Sequence, residues 1–306
     1  MTGDARDPHL RAGTGVATAG RLPTFLLIGA MKAGTTSLYH YLSAHPQVAT
    51  PRYKAPEFFV AESNWHRGID WYRRQFPPPG PEILAVGEAS NLYTKYPRYA
   101  GVPARIATHL PDVRLVYVVR DPVSRIRSHY QHRVAEGREK AAFAEAVFAD
   151  PAYLDYSRYA LQIEQYLEHF PREQLLVITS EELRSDRQVT MRRVYDFIGV
   201  DPDFAPADLD RDFYRTEDRP ARSLVPLRVR RGLKRRFPRT RRFKELESNT
   251  LSRIRRVTGR SGGRTGPPPR VDIADALRER IGAVLADDVR RLRAHLGPDF
   301  DGWGIA

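Results

Sequence analysis

The chain has 306 residues, no cysteine and a formal net charge of +13. That length suffices for a substantial core in one large domain, and the missing thiols exclude disulfides and thiolate metal sites. No run approaches the eighteen or so apolar residues of a membrane span, and the first twenty residues lack the charged start and apolar run of a signal peptide, so a cytoplasmic protein is expected.

In chain order, residues 1–22 are polar and rich in small residues, and read as a disordered tail. Phe25-Leu26-Leu27-Ile28 then has the length of a strand. It feeds the loop Gly29-Ala30-Met31-Lys32-Ala33-Gly34-Thr35-Thr36-Ser37, after which Leu38, Tyr41 and Leu42 recur at helical spacing. Strand, Gly/Lys/Thr loop and helix start suit an anion. Backbone N–H groups and the helix N-terminus receive it, Thr35 and Thr36 donate hydroxyls, and Lys32 neutralises charge. The loop departs from the Walker pattern, which ends in Gly-Lys-Ser/Thr: here those positions read Gly34-Thr35-Thr36 and the lysine stands earlier.

Ile83 to Gly87 reads as a short buried strand ending at Glu88, and Val102 to Leu110 as a helix. Arg114 to Val119 is a third apolar strand that ends in Arg120-Asp121-Pro122, and Asp-Pro opens a further helix. Tyr153 to Phe170 reads as one helix with Tyr159, Ile163, Tyr166, Leu167 and Phe170 on a shared face. Leu175 to Ile178 is another strand, followed by helical segments that end at Gly199, a C-cap. This alternation predicts an α/β fold, a P-loop-like three-layer sandwich around a parallel sheet, with its core over residues 23–218. Ligands bind at the carboxyl ends of such strands, where Lys32, Glu88 and Arg120 are expected to meet.

Residues 219–270 form a helical, strongly basic insertion and linker: 18 Lys/Arg stand against Glu245 and Glu247, a charge of +16 that leaves the rest at about −3. Its basic run at 222–244 suits an acidic acceptor, an anionic membrane surface or nucleic acid, or is a solvated insertion with no partner. Aromatic residues for base stacking are sparse there, which disfavours nucleic acid. Residues 271–306 carry Ile273, Leu277, Ile281, Val284, Leu285, Val289 and Leu292 at helical spacing and are expected to form a closing helix, Asp272 to Leu296, packed on the core.

The run Gly29 to Leu38 resembles the 5′-phosphosulfate loop of the sulfotransferases that use 3′-phosphoadenosine 5′-phosphosulfate (PAPS). The block Val113 to Tyr130 resembles a second motif of the same family, in which an Arg at a strand's end and a Ser eight residues on hold the nucleotide's 3′-phosphate. Arg120 and Ser128 match both in type and spacing, and arginine suits a bidentate grip on phosphate. The tracts Leu161–Tyr166, Glu181–Leu183 and Asp196–Val200 are similar to the family too, as is Gly297-Pro298-Asp299-Phe300 running to Trp303. The likeness covers roughly residues 23–200, and 270–304 loosely.

The resemblance implies a bacterial enzyme that moves a sulfuryl group from PAPS to a hydroxyl or amine, in the glycan-type branch of the family. Lys32 would neutralise the leaving group, and Lys32, Ala33, Gly34, Thr35, Thr36 and Ser37 would hold the 5′-phosphosulfate. Arg120 and Ser128 would hold the 3′-phosphate, and no metal is required. Relatives acting on glycans carry a catalytic Glu in Lys-Glu-Pro-x-Phe-Phe; the stretch here is Lys54-Ala55-Pro56-Glu57-Phe58-Phe59, with Ala55 in its place. Two carboxylates are substitutes. Glu57 lies on the same face of an extended segment, and Glu88 matches a family Glu whose following Lys is Ala89 here; Glu88 is favoured. His129 and His132 offer a third base, with packing or surface roles preferred for both. Other acceptors are a lipid or a secondary-metabolite hydroxyl. A P-loop kinase is disfavoured because Val116 to Asp121 puts an Arg where a magnesium ligand is needed. A non-enzymatic binder acting through residues 219–270 leaves the two motifs unexplained.

Overall fold

The computed structural model describes residues 20–51, 53–78, 80–206, 209 and 271–306. The basic segment 219–270, the expected tail up to residue 19 and the end of the expected core at 210–218 lie outside the described residues. The strands are β1 Phe25–Gly29, β2 Val48–Ala49, β3 Ala85–Ala89, β4 Arg114–Val119 and β5 Leu175–Thr179. The helices are α1 Thr35–Ala44, α2 Gly68–Arg73, α3 Val102–His109, α4 Pro122–Ala135, α5 Phe143–Ala149, α6 Ala152–Asp155, α7 Tyr159–Leu167, α8 Glu182–Ser185, α9 Arg187–Ile198 and α10 Asp275–Leu296.

The sheet is all parallel, in the order β2-β3-β1-β4-β5. All of β1 and β3 is buried, as expected of parallel strands covered on both faces. The expected α/β architecture is therefore present. Because β1 lies between β3 and β4, the chain emerging from β1 is flanked by the carboxyl ends of both neighbours. That places the Lys32 loop beside Ser90 and Asn91 on one side and Arg120 on the other. Within the expected tail, Gly20 is already buried and Leu22 packs on the core.

The strand expected from Ile83 begins at Ala85, leaving Leu84 exposed. The helix expected over Tyr153 to Phe170 is two helices, α6 and α7, and the break has a tertiary cause. In a continuous helix the Ser157 N–H would donate to the Tyr153 carbonyl. Here the buried Arg125 of α4 takes that carbonyl, Nη2 donating at 2.5 Å, while its Nε donates to Ser157 Oγ at 2.6 Å. Ser157 N turns instead to Leu154 O. The new helix start at α7 is capped from outside: the Asp288 carboxylate of α10 accepts the Ala160 and Leu161 N–H groups, both at 2.9 Å. Around this contact Ile281, Leu285 and Val289 of α10 pack with Val123, Ile126, Phe143 and Tyr153 in a second apolar cluster.

Candidate active site

The loop between β1 and α1 is held in an unusual backbone conformation. Gly34, just before α1, sits at φ 100°, a region that glycine enters without penalty. Lys32 sits at φ 72°, where an L side chain costs roughly 1–2 kcal/mol. Three side chains stitch the loop to its surroundings. Arg120 Nη1 donates to Lys32 O at 3.2 Å, Thr35 Oγ1 donates to Asn91 Oδ1 at 3.0 Å, and Lys54 Nζ donates to Thr36 Oγ1 at 2.9 Å. Burial pushes the Lys54 ammonium down to about 8, so it gives up its proton more readily than a solvated lysine. Ala33 and Thr35 are buried beneath the loop, and Ser37 lies in the first turn of α1.

On the far side of the loop, Asp121 caps α4 by accepting the Ser124 N–H at 2.5 Å. The Tyr159 hydroxyl donates to Arg120 O at 2.8 Å, which fixes the backbone just before that cap. Burial first, and Arg184 of α8 second, lower the Arg120 pKa. Arg184 is therefore a second cation beside Arg120. Ser128 is buried two turns into α4, on the same helix that Asp121 starts.

The two candidate carboxylates have different surroundings. Glu88 lies inside β3, fully buried, and accepts hydroxyls from Tyr72 at 2.9 Å, Tyr93 at 2.6 Å and Ser90 at 2.6 Å. Three hydroxyl donors thus enclose the carboxylate. Glu57 is half-buried at φ 52°; its N–H donates to Ser90 Oγ at 3.2 Å and its Oε2 accepts from Ser63 Oγ at 3.2 Å. Ser90 thus joins the two, its hydroxyl given to Glu88 and its lone pair to the Glu57 backbone.

Burial dominates in pushing Glu88 up from 4.5 to about 7; the hydroxyl bonds act the other way and Glu57 adds to the rise. A folded pKa above the unfolded one means that the folded state binds more protons between about pH 4.5 and 7. Stability is therefore expected to fall as pH rises through that window, by on the order of 3 kcal/mol at about 1.4 kcal/mol per pH unit. Urea unfolding at pH 5 and pH 8 tests this, since Glu88→Gln should lose most of the fall. The same fall in both proteins would assign it to another group.

His129 is buried against the rings of Tyr153 and Tyr156, at 4.7 and 5.9 Å, and desolvation with nearby cations pushes it down to about 2. The ring packs against both tyrosines. His132 lies 3.6 Å from Glu136, one turn along α4. No described helix is long and apolar enough to cross a membrane.

The geometry so far is a strand-to-helix loop at the centre of a parallel sheet, with an arginine hydrogen-bonded to its backbone. The model of the family described as "Sulfotransferase domain" matches residues 22–214, more than half of the chain. The chain belongs to the sulfotransferase family.

The chain is 33% identical over 208 residues to the human bifunctional heparan sulfate N-deacetylase/N-sulfotransferase 3, a match covering 61% of this chain and 23% of that protein. It is 32% identical over 189 residues to the mouse heparan sulfate glucosamine 3-O-sulfotransferase 3B1, covering 59% and 47%. The chain thus spans less than half the length of either relative. Among solved structures, a sulfotransferase from Alicyclobacillus acidocaldarius superposes with a TM-score of 0.66 at 27% identity, over 93% of this chain and 99% of that one.

Several residues around these groups escaped the motif reading. Ser90 and Asn91 carried a signal, two polar residues directly after an apolar strand. Tyr72 and Arg184 carried none, because each reaches the site from a separate helix.

Proposed function

We propose that the chain transfers a sulfuryl group from PAPS to a hydroxyl or amine of an acceptor, a carbohydrate in the first instance. The observation that carries this is the hydrogen bond from Arg120 to the Lys32 carbonyl. It joins the loop suited to the 5′-phosphosulfate to the residue suited to the 3′-phosphate, two sites that a 3′-phosphorylated nucleotide would bridge. The carbohydrate acceptor is supported by the relatives, whose names place them on heparan sulfate and its glucosamine.

In this reading the Lys32, Ala33 and Gly34 backbone, the Thr35 and Thr36 hydroxyls and Ser37 receive the 5′-phosphosulfate at the start of α1. Arg120 and Ser128 hold the 3′-phosphate, with Arg184 adding positive charge. The acceptor oxygen attacks sulfur in line as the bond from sulfur to the bridging oxygen breaks. Lys32 neutralises the charge that builds on that oxygen, which leaves with 3′-phosphoadenosine 5′-phosphate (PAP). Glu57 takes the acceptor's proton. Glu88 stands behind Glu57, holding Ser90 and through it the Glu57 backbone.

Calorimetric titration with PAP, AMP and magnesium-ATP tests the donor. Wild type should bind PAP well above AMP. Arg120→Ala should weaken PAP about a hundredfold, or about 2.7 kcal/mol, and leave AMP nearly unchanged. Equal binding of PAP and AMP by wild type would remove the 3′-phosphate assignment, and a preference for magnesium-ATP would make the reaction phosphoryl transfer.

A further inference from the structure

A second corner of the molecule gathers donors that the donor-binding reading leaves unused. Lys95 follows β3 in the chain and is half-buried, its Nζ 5.2 Å from the centroid of the Tyr156 ring. His129 stacks near the same ring, its plane tilted by 26°. His129 is 4% exposed and its Nδ1 has no hydrogen-bond partner. Arg125 is 0% exposed, and its Nη1 likewise has none.

The charges facing this corner are mostly positive. Arg98 and Arg125 act on Lys95, with Glu57 as the opposing acid; Arg125, Lys95, Arg133 and His132 act on His129. The groups that act most on Arg125 are the phenols of Tyr159, Tyr117 and Tyr156 and a second arginine, Arg120, rather than a carboxylate. Guanidinium and ammonium groups withdrawn from water without an anionic partner are costly, and an incoming anion offsets that cost.

We propose that Lys95, with Arg125 and His129 behind it around the Tyr156 ring, forms a subsite for a carboxylate of the acceptor, held beside Glu57. Lys95 makes the contact; Arg125 and His129 line the floor and keep it positive or hydrogen-bond donating. The inference rests on the reading of Glu57 as the group that receives the acceptor's proton. An acid anchored on Lys95 would set a neighbouring hydroxyl of the same molecule against Glu57. Lys95, which makes the contact, is not among the donor-binding residues, so its substitution probes the acceptor alone.

The test titrates the full chain, saturated with PAP, with p-nitrophenyl β-glucuronide and p-nitrophenyl β-glucoside, which differ by one carboxylate. Wild type should bind the glucuronide about tenfold more tightly, the order expected for one charged contact at a partly exposed site. Lys95→Met should abolish that preference and leave PAP affinity unchanged, while Lys95→Arg should retain much of it. Equal binding of the two glycosides by wild type, or a preference that survives in Lys95→Met, would overturn the proposal. PAP affinity is measured first. If PAP does not bind, the donor reading fails, and the same glycoside pair titrated without nucleotide still decides the subsite.

Discussion

Replacing Glu57 with glutamine is expected to lower kcat by about 10²–10⁴-fold while PAP affinity stays at the wild-type value. Glutamine keeps the size and the acceptor oxygen that Ser63 Oγ uses, so the bond at 3.2 Å has a substitute and the backbone link to Ser90 is untouched. What is lost is the capacity to take up a proton as the acceptor attacks. Single-turnover rates with saturating PAPS, using the acceptor that gives the highest wild-type rate, separate this from a binding defect. Glu88→Gln is the matched comparison. Its carboxylate is sealed among Tyr72, Tyr93 and Ser90, so its substitution should act through the placing of Glu57 and cost less. If Glu57→Gln turned over normally and Glu88→Gln did not, the proton would have to pass to Glu88 and the assignment would be reversed.

Lys32→Ala is expected to lower kcat by about 10²–10³-fold, roughly 2.7–4 kcal/mol of transition-state stabilisation, with a much smaller change in PAP affinity. The asymmetry follows from where charge develops. PAP already carries its negative charge on phosphates that loop N–H groups, hydroxyls and Arg120 are placed to receive, whereas the bridging oxygen gains charge only as the bond to sulfur breaks. The backbone at this position is left-handed, φ 72°, for lysine and alanine alike, so the substitution adds little strain of its own. An unchanged melting temperature with a collapsed rate would fit this role. A rate near wild type would remove Lys32 from the mechanism.

Much of this was legible in the sequence, for a physical reason. The β1 loop and the Arg120–Ser128 block are local: a buried strand, a turn and a helix start lie within a dozen residues, and their periodicities announce them. The element edges were legible to within about three residues, as with β3, which starts at Ala85 in place of Ile83, and α10, which starts at Asp275 in place of Asp272. What stayed hidden depends on contacts between distant parts of the chain. The carboxyl of Glu88 reads as a strand-end group until Tyr72, 16 residues upstream, is seen to donate to it. The helix broken at Ser157 has an unbroken apolar face in sequence, and only the reach of Arg125 from 32 residues away shows why it stops. Arg184 and Lys95 look like ordinary solvated cations until the sheet brings Arg120 and Tyr156 beside them.

The capping of α7 by Asp288 makes one part of the fold wait for another. The acceptor for the Ala160 and Leu161 N–H groups lies 128 and 127 residues further along the chain. During synthesis α7 must therefore stand uncapped until α10 has left the ribosome, and the floor under Tyr159 and Arg120 is complete only then. The entropy of closing so long a loop grows slowly, by about 0.6 kcal/mol per doubling of its length. Doubling that separation would therefore add only about that much to the cost of forming the cap.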